Sequence, residues 1–508
     1  MIDLGCTRAR LLAEIGATNS APQPLSDVTD PHFATTDVHA RVRGQGRDDL
    51  FPLLKVALSE RFASVPRPQL IRDLFMPLKN ALGNAFKHGN ASDPRKGVSV
   101  EVVLTREGAL LAVTDEGPGF DFARTFRRFQ EQETYFENHG SGFRNLHGAM
   151  STVTYEDGGR TVLVCFRPTT LDSNQAASWS LAPLGDPHVL DGEWIRTSLS
   201  TGLPEFANGG AKLESCRIYA TRGRSGDDCG NRYLLRVAGP NGGPAETRIL
   251  TGRVHATRAA AGADFDAATR LHDAQISKRL RIPRPAARLA GEPRLVLYDF
   301  DSWMTLSEYL AYRGSLRSLR KCARKMAEAL AALHRSQVVL RGGETDPRGE
   351  GLQARVARAE KKLQTLFAAP DLLNLFRFAF RRIQERCAFN RQPAPTPVHG
   401  ALSWDCIHYG VDGRFYLYRF ESCRHSDPGL DLGGFVADLL CFTLANHPEA
   451  ASQLCFEHFL ETYNSEAARP MIKEDLLDYT VLALVERLGR TGPPNADAGQ
   501  LLAALETA

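Results

Sequence analysis

Two asparagines four residues apart, Asn80 and Asn84, followed by Lys87 and His88, form the first group whose types and spacing suit chemistry. On a helix this spacing puts both amides on one face, one turn above the other, with Lys87 on the same side. An amide oxygen can ligate Mg²⁺ while its NH₂ group or a lysine ammonium meets phosphate oxygens. The second group is Asp115-Glu-Gly117-Pro-Gly119-Phe, directly after a run that reads as a strand. A carboxylate at a strand end can accept a hydrogen bond from an adenine amino group, and the glycines let the backbone approach the base. The third is Gly140-Ser-Gly142-Phe143, opening a helix whose free N–H groups and dipole favour phosphate. Each group alone is ordinary sequence. All three in this order point to a site for ATP and Mg²⁺.

These groups need elements to hold them. A helical pattern runs from Leu50 to about Ala63, and a second from Gln69 to His88, where Pro77 is expected to introduce a kink. Strand patterns cover Val98 to Leu104 and Ala109 to Thr114, then Ser151 to Tyr155 and Thr161 to Phe166, the last pair joined by the turn signal Asp157-Gly158-Gly159. Helices first and strands interleaved afterwards fit an α/β sandwich. Residues 17–35 lack periodicity and read as a mobile lead-in, so 1–35 is expected to be a flexible segment, 36–168 a domain, and 169–213, rich in Ser, Asn, Gly and Pro, a linker. Beyond it, residues 214–508 begin with strand patterns and continue mainly as helices.

The bulk properties exclude some function classes. With 508 residues, several cores are expected. The 62 basic and 59 acidic residues are scattered, so the net charge of +3 gives no footprint for nucleic acid or an acidic membrane. Ten cysteines without a CxxC pair support neither a zinc ribbon nor a dithiol redox motif. No apolar run approaches the about 20 residues that span a bilayer, and the N-terminus lacks a secretory pattern. A cytoplasmic protein is expected.

The three N-terminal motifs resemble the N, G1 and G2 boxes of the GHKL superfamily of gyrase, heat-shock chaperone, histidine kinase and mismatch-repair ATPases, over about 130 residues. The compact size is most similar to the anti-sigma-factor serine kinases. The resemblance implies a Bergerat-type nucleotide fold, with Asn84 as Mg²⁺ ligand and Asp115 as adenine reader. Gly117 and Gly119 would form the base-side turn, Gly140 and Gly142 the lid hinge, and Lys87 with His88 the phosphate-contacting and lid-packing pair. The ATPase and anti-sigma members usually carry a glutamate general base where Asn80 stands. An amide has no useful basicity, so slow or partner-dependent turnover is expected.

A second set resembles the aminoglycoside-phosphotransferase and choline-kinase-like family, a two-lobed kinase-like fold. It comprises His399-Gly-Ala401-Leu-Ser-Trp-Asp405-Cys406, then Arg419-Phe-Glu421, then Asp427-Pro-Gly-Leu-Asp431. The match extends back to Arg236 as a basic phosphate contact on a strand, and to Leu295–Tyr298 as a hinge. Phosphoryl transfer needs a carboxylate to orient the acceptor and acidic or amide ligands for magnesium. By position, Ala401 replaces the catalytic Asp, Cys406 the Asn ligand and Arg419 the metal-binding Asp. His399, Asp427 and Asp431 keep the scaffold part, Asp405 and Glu421 stand by as substitute ligands, and Arg419 is a candidate partner for Asp427.

The whole chain is therefore expected to be an α+β protein. Its N-terminal sandwich binds ATP and is coupled to a degenerate pseudokinase that meets a regulatory protein or small-molecule ligand. The alternatives are an active small-molecule phosphotransferase and a non-catalytic, ATP-stabilised scaffold. Phe122, Phe126, Phe129, Tyr135 and Phe136 form either a partner-binding lid or packing on the protein's own core.

Overall fold

The computed structural model describes residues 2–17, 23–24, 37–44, 47–62, 65, 67–131, 146, 151–168, 191–207, 211–221, 230–238, 246–255, 257–289, 294–313, 315–340, 350–366, 370–388, 396–410, 412–491 and 498–506. The chain divides into two compact units, Met1–Pro183 with Arg217–Gly226, and Leu184–Cys216 with Asp227–Ala508. The fold class is α+β, as the sequence patterns require.

In the first unit, β1 (Gln23–Pro24), β2 (Val38–Gly44), β3 (Val98–Leu104), β4 (Ala109–Asp115), β5 (Thr152–Glu156) and β6 (Thr161–Phe166) form one sheet of order β1-β2-β3-β4-β6-β5. The alternation read from the sequence sets its two faces. Val100, Val102, Leu111, Val113, Val162 and Val164 share one buried face, beneath the helices of residues 47–61 and 67–89. Val103, Leu110, Ala112, Leu163 and Cys165 share the other.

That second face is covered by α1 (Arg8–Glu14), capped by the Thr7 side chain. Cys6, Leu11, Leu12 and Ile15 pack onto it, and Arg8 reaches Glu101 at 2.7 Å and also pairs with Glu156. The expectation of a flexible 1–35 segment is corrected here. An apolar outer sheet face needs a cover, and each buried Leu or Ile contributes roughly 1.5–3 kcal/mol. Residues 25–36 lie outside the described residues.

Helix α2 spans Arg47–Arg61. Helix α3 runs without a break through Arg67–Leu70, a π-turn at Ile71–Phe75, Met76–Asn84 and a second π-turn at Ala85–Gly89. A π-turn lies just before Pro77, where the kink is expected. Widening the helix there relieves the ring's clash with the preceding turn and the loss of its N–H. Helix α4 covers Phe122–Gln130, with Asp121 as its cap.

The second unit opens with helical segments at Gly192–Gly202 and Pro204–Ala207, then β7 (Lys212–Thr221), of which the part up to Cys216 falls in this unit, β8 (Gly230–Ala238) and β9 (Glu246–Val254), followed by helix α5 (Arg258–Asp273). Next come β10 (Leu280–Arg281), β11 (Arg284–Arg288), β12 (Leu295–Asp299) and β13 (Ser302–Thr305). One sheet has the order β11-β12-β9-β8-β7, and a smaller one, β10-β15-β14-β13, includes β14 (Ile407–Gly410) and β15 (Phe415–Leu417). The rest is a helical mass sharing one core, with α6 (Leu316–His334), α7 (Glu350–Leu366), α8 (Pro370–Ala388), α9 (Gly429–Asn446) and α10 (Lys473–Thr491) as its long members. Helix α9 is long and apolar enough to cross a membrane, and 72% of it is buried inside the protein. It is this unit's central core helix.

Candidate functional site

In the first unit, the end of α3 meets the end of β4. Asp115, the last residue of β4, accepts the Gly117 N–H at 2.8 Å. Gly89, the last residue of α3, lies so close that a Cβ there would sit 2.1 Å from Asp115 Oδ2, and a Cβ on Gly117 would sit 1.9 Å from the Gly89 carbonyl oxygen. Only glycines allow this approach. Gly119 has φ +76° and backs onto the Gly158 carbonyl, which also accepts the Phe120 N–H at 2.9 Å, so the loop after β4 is stitched to the β5–β6 turn. Burial raises the Asp115 pKa, against the lowering pull of the Gly117 N–H and the charges of Arg160 and Lys96.

The other residues expected from the sequence lie on the helix that ends at Gly89. Asn80 and Asn84 lie on the middle stretch of α3, both half-buried, and Lys87 and His88 are exposed on its last π-turn. The Asn80 Nδ2 group is buried without a hydrogen-bond partner. Among the described residues, the side chains of Asn84, Lys87 and His88 have no partner either. An unsatisfied buried donor is costly unless something outside the chain accepts from it. Gly140, Gly142 and Phe143 lie outside the described residues, as do Tyr135 and Phe136. Of the other aromatics, Phe122 stacks on Tyr155 with ring centroids 5.5 Å apart, and Phe126 is buried.

In the second unit, the residues singled out from the sequence are held tightly. Asp431 accepts the N–H groups of His399 (2.7 Å) and Gly400 (2.8 Å) and faces His334 Nε2 at 3.2 Å. Asp427 accepts from Gly429 N–H and the Tyr479 hydroxyl, both at 2.7 Å. Its oxygens are engaged in this way, which corrects the expected Arg419–Asp427 pair. Ala401 and Asp405 are exposed, and Cys406 is buried with its Sγ 3.7 Å from the Ala401 carbonyl oxygen. Arg419 takes a left-handed conformation at φ 74°.

Glu421 is gripped through both oxygens by Arg253 of β9, one contact being 2.8 Å. Burial alone would raise the Glu421 pKa, but the hydrogen bonds and charge of Arg253 outweigh it and lower it to about 2. Beside this pair, His255 Nε2 lies 2.8 Å from Asp264 Oδ2, and Asp264 Oδ1 accepts the Phe420 N–H at 2.6 Å. Ligand atoms of His255, Asp264 and Glu421 lie within 4.8 Å of one another. All four carboxylate oxygens already have partners, so the set does not fit a divalent ion, nor does Glu421 stand by as a lone metal ligand.

Residues 57–166 match the family model of the histidine kinase-like ATPase domain. That span holds the α3–β4 junction and every N-terminal motif. The chain also shows similarity to solved structures. Choline kinase LicA from Streptococcus pneumoniae is 16% identical, with a TM-score of 0.36, covering 57% of this chain and 92% of that one. An ethanolamine kinase from Plasmodium vivax is 12% identical (TM-score 0.35; 58% and 82% covered). The macrolide 2'-phosphotransferase MphH from Brachybacterium faecium is 14% identical (TM-score 0.34; 60% and 96% covered). No curated protein matches the chain significantly.

Sequence reasoning missed two sets of residues. Asn90, wholly buried, accepts the Glu116 N–H at 2.8 Å and donates to the Gly97 carbonyl at 2.9 Å, binding the end of α3 to the Asp115 turn. Its place directly after Gly89 was the available signal. In the second unit, the buried strand arginines are Arg253 on β9 and Arg232 on β8. Arg236 on β8 is half-exposed and pairs with Glu214 at 3.0 Å. Both strands carry an arginine between apolar residues, so pattern alone does not choose between them.

Proposed function

We propose that this chain is an ATP-binding regulatory protein, whose histidine kinase-like unit holds the nucleotide and whose second unit has lost phosphotransferase catalysis. The observation that carries the nucleotide reading is the half-buried Asp115 carboxylate, set close against Gly89 and Gly117. These residues leave an acceptor for the adenine amino group with no side chain in front of it. The donors left over on α3 fit the other end of the ligand. Lys87 and His88 face the phosphates, and the orphaned Asn80 Nδ2 supplies a hydrogen bond to anionic oxygen. Asn84 offers an amide oxygen to Mg²⁺, which would neutralise phosphate charge when bound.

Asn80 also sets the rate. At the position of a general base, an amide cannot take a proton from water or a hydroxyl, so the bound nucleotide is a ligand and signal more than a consumed substrate. The second unit adds no base: Ala401 has no carboxylate, and Arg419 puts a cation where a metal ligand belongs. Such a pair suits a switch in which ATP occupancy of one unit governs what the chain binds. Calorimetric titration with ATP and with GTP tests this. Wild type binds ATP in preference, and Asp115→Asn, which turns one acceptor oxygen into a donor, loses that binding. Equal affinity in the two proteins would sink the assignment.

A further inference from the structure

We propose that the cleft of the second unit is occupied by the chain's own arginines: Arg232 where a base would sit and Arg253 where a cation would bridge phosphates. This rests on the kinase-type reading of that unit and is independent of the nucleotide reading of the first. In such clefts the strand-borne cation meets the nucleotide phosphates and an acidic residue after a later strand holds the metal. Here the cation is Arg253, only 9% exposed, and both of its contacts go to Glu421, two residues past Arg419. The guanidinium thus stands in for the metal, and the carboxylate for the phosphate. A planar fork matched to a carboxylate leaves neither free for a ligand.

The base end is closed in the same manner. The segment Phe300–Ser302 links the large sheet to the rest of the unit, and its carbonyls are the acceptors a purine would seek. The Phe300 carbonyl already accepts from Thr251 Oγ1 at 2.7 Å, and the Ser302 carbonyl from Arg232 Nη2 at 2.8 Å. Arg232 is 3% exposed, with its Nε 3.6 Å from Asp301 Oδ1. Rings complete the filling: Tyr298 and Tyr418 lie 5.0 Å apart edge-to-face, and Phe300 lies 5.6 Å from Tyr418. Side chains of the protein thus occupy both ends of the cleft.

Amide hydrogen exchange on the full chain, with and without ATP and Mg²⁺, tests this without a variant. Saturating nucleotide leaves exchange at Thr251–Arg253, Phe300–Ser302 and Phe420–Ser422 unchanged, whatever it does around Asp115. Slowing at those three segments would overturn the proposal. No slowing anywhere would contradict the nucleotide reading of the first unit and leave this one standing. Arg232→Ala supplies the positive arm. Removing the guanidinium opens a polar space beside the Ser302 carbonyl, and adenosine at millimolar concentration then slows exchange at Phe300–Ser302 several-fold. A folded Arg232→Ala protein that adenosine does not protect would show that the arginine is not what fills the site.

Discussion

The α3–β4 junction of the first unit and the Arg253–Glu421 cleft of the second draw on the same kinds of residue. Each has a half-buried carboxylate. At the junction, the carboxylate faces glycines, and among the described residues the donors of Asn80, Asn84, Lys87 and His88 on α3 are left over. In the cleft, both Glu421 oxygens are held by the Arg253 guanidinium, the neighbouring Asp264 accepts the Phe420 N–H, and Arg253 Nε is itself buried without a hydrogen-bond partner. A carboxylate beside glycines can still meet a ligand's donor, and one held by a guanidinium fork cannot. The first carboxyl is accordingly raised in pKa by burial, and the second is lowered to about 2 by its partner.

The largest way to break this contrast is to put carboxylates back. Asn80→Glu restores a base and is expected to raise ATP turnover by about 10²–10⁴-fold in a phosphate-release assay. The double change Ala401→Asp with Arg419→Asp in the second unit yields no turnover, because the arginines still fill the cleft. Next in size, Asp115→Asn weakens ATP binding by about 100-fold or more in calorimetry, as a buried charged acceptor is lost. Third, Glu421→Ala strands the Arg253 charge and costs about 3 kcal/mol in chemical denaturation, while ATP affinity stays at the wild-type value. A loss of affinity there would break the separation of the two sites.

Smaller effects sharpen it further. Gly89→Ala forces a methyl against the Asp115 carboxylate and costs about 1–3 kcal/mol, with weaker ATP binding in the same protein. The pH dependences differ in range and in readout. Glu421, depressed in the folded state, contributes stability above its ordinary pKa of 4.5 that is lost as pH falls towards about 2. Asp115, raised, takes up its proton at a higher pH than an ordinary aspartate, so ATP affinity falls early on acidification. Titrations of unfolding and of ATP binding separate the two.

Much of this was legible in the sequence. The β3–β4 hairpin follows alternation from Val98 to Thr114, and Asn80, Asn84 and Asp115 stand out by spacing alone. Helix α1 was not legible, because a short amphipathic run such as Leu11-Leu12 reads as helix only when the sheet face it covers is known. Asn90 and Arg253 were missed for a related reason. Their roles arise from partners at distant positions, Glu116 and Glu421, and no local pattern encodes that pairing.

On the proposed reading, one unit is open to nucleotide and the other is filled by its own side chains. A crystal structure of the full chain with Mg²⁺ and a non-hydrolysable ATP analogue decides between this and a nucleotide-binding second unit. The analogue is expected beside Asp115, with its phosphates towards Lys87, and Arg253 still bound to Glu421. An analogue found at Phe300–Ser302, with the Asp115 pocket empty, would contradict it.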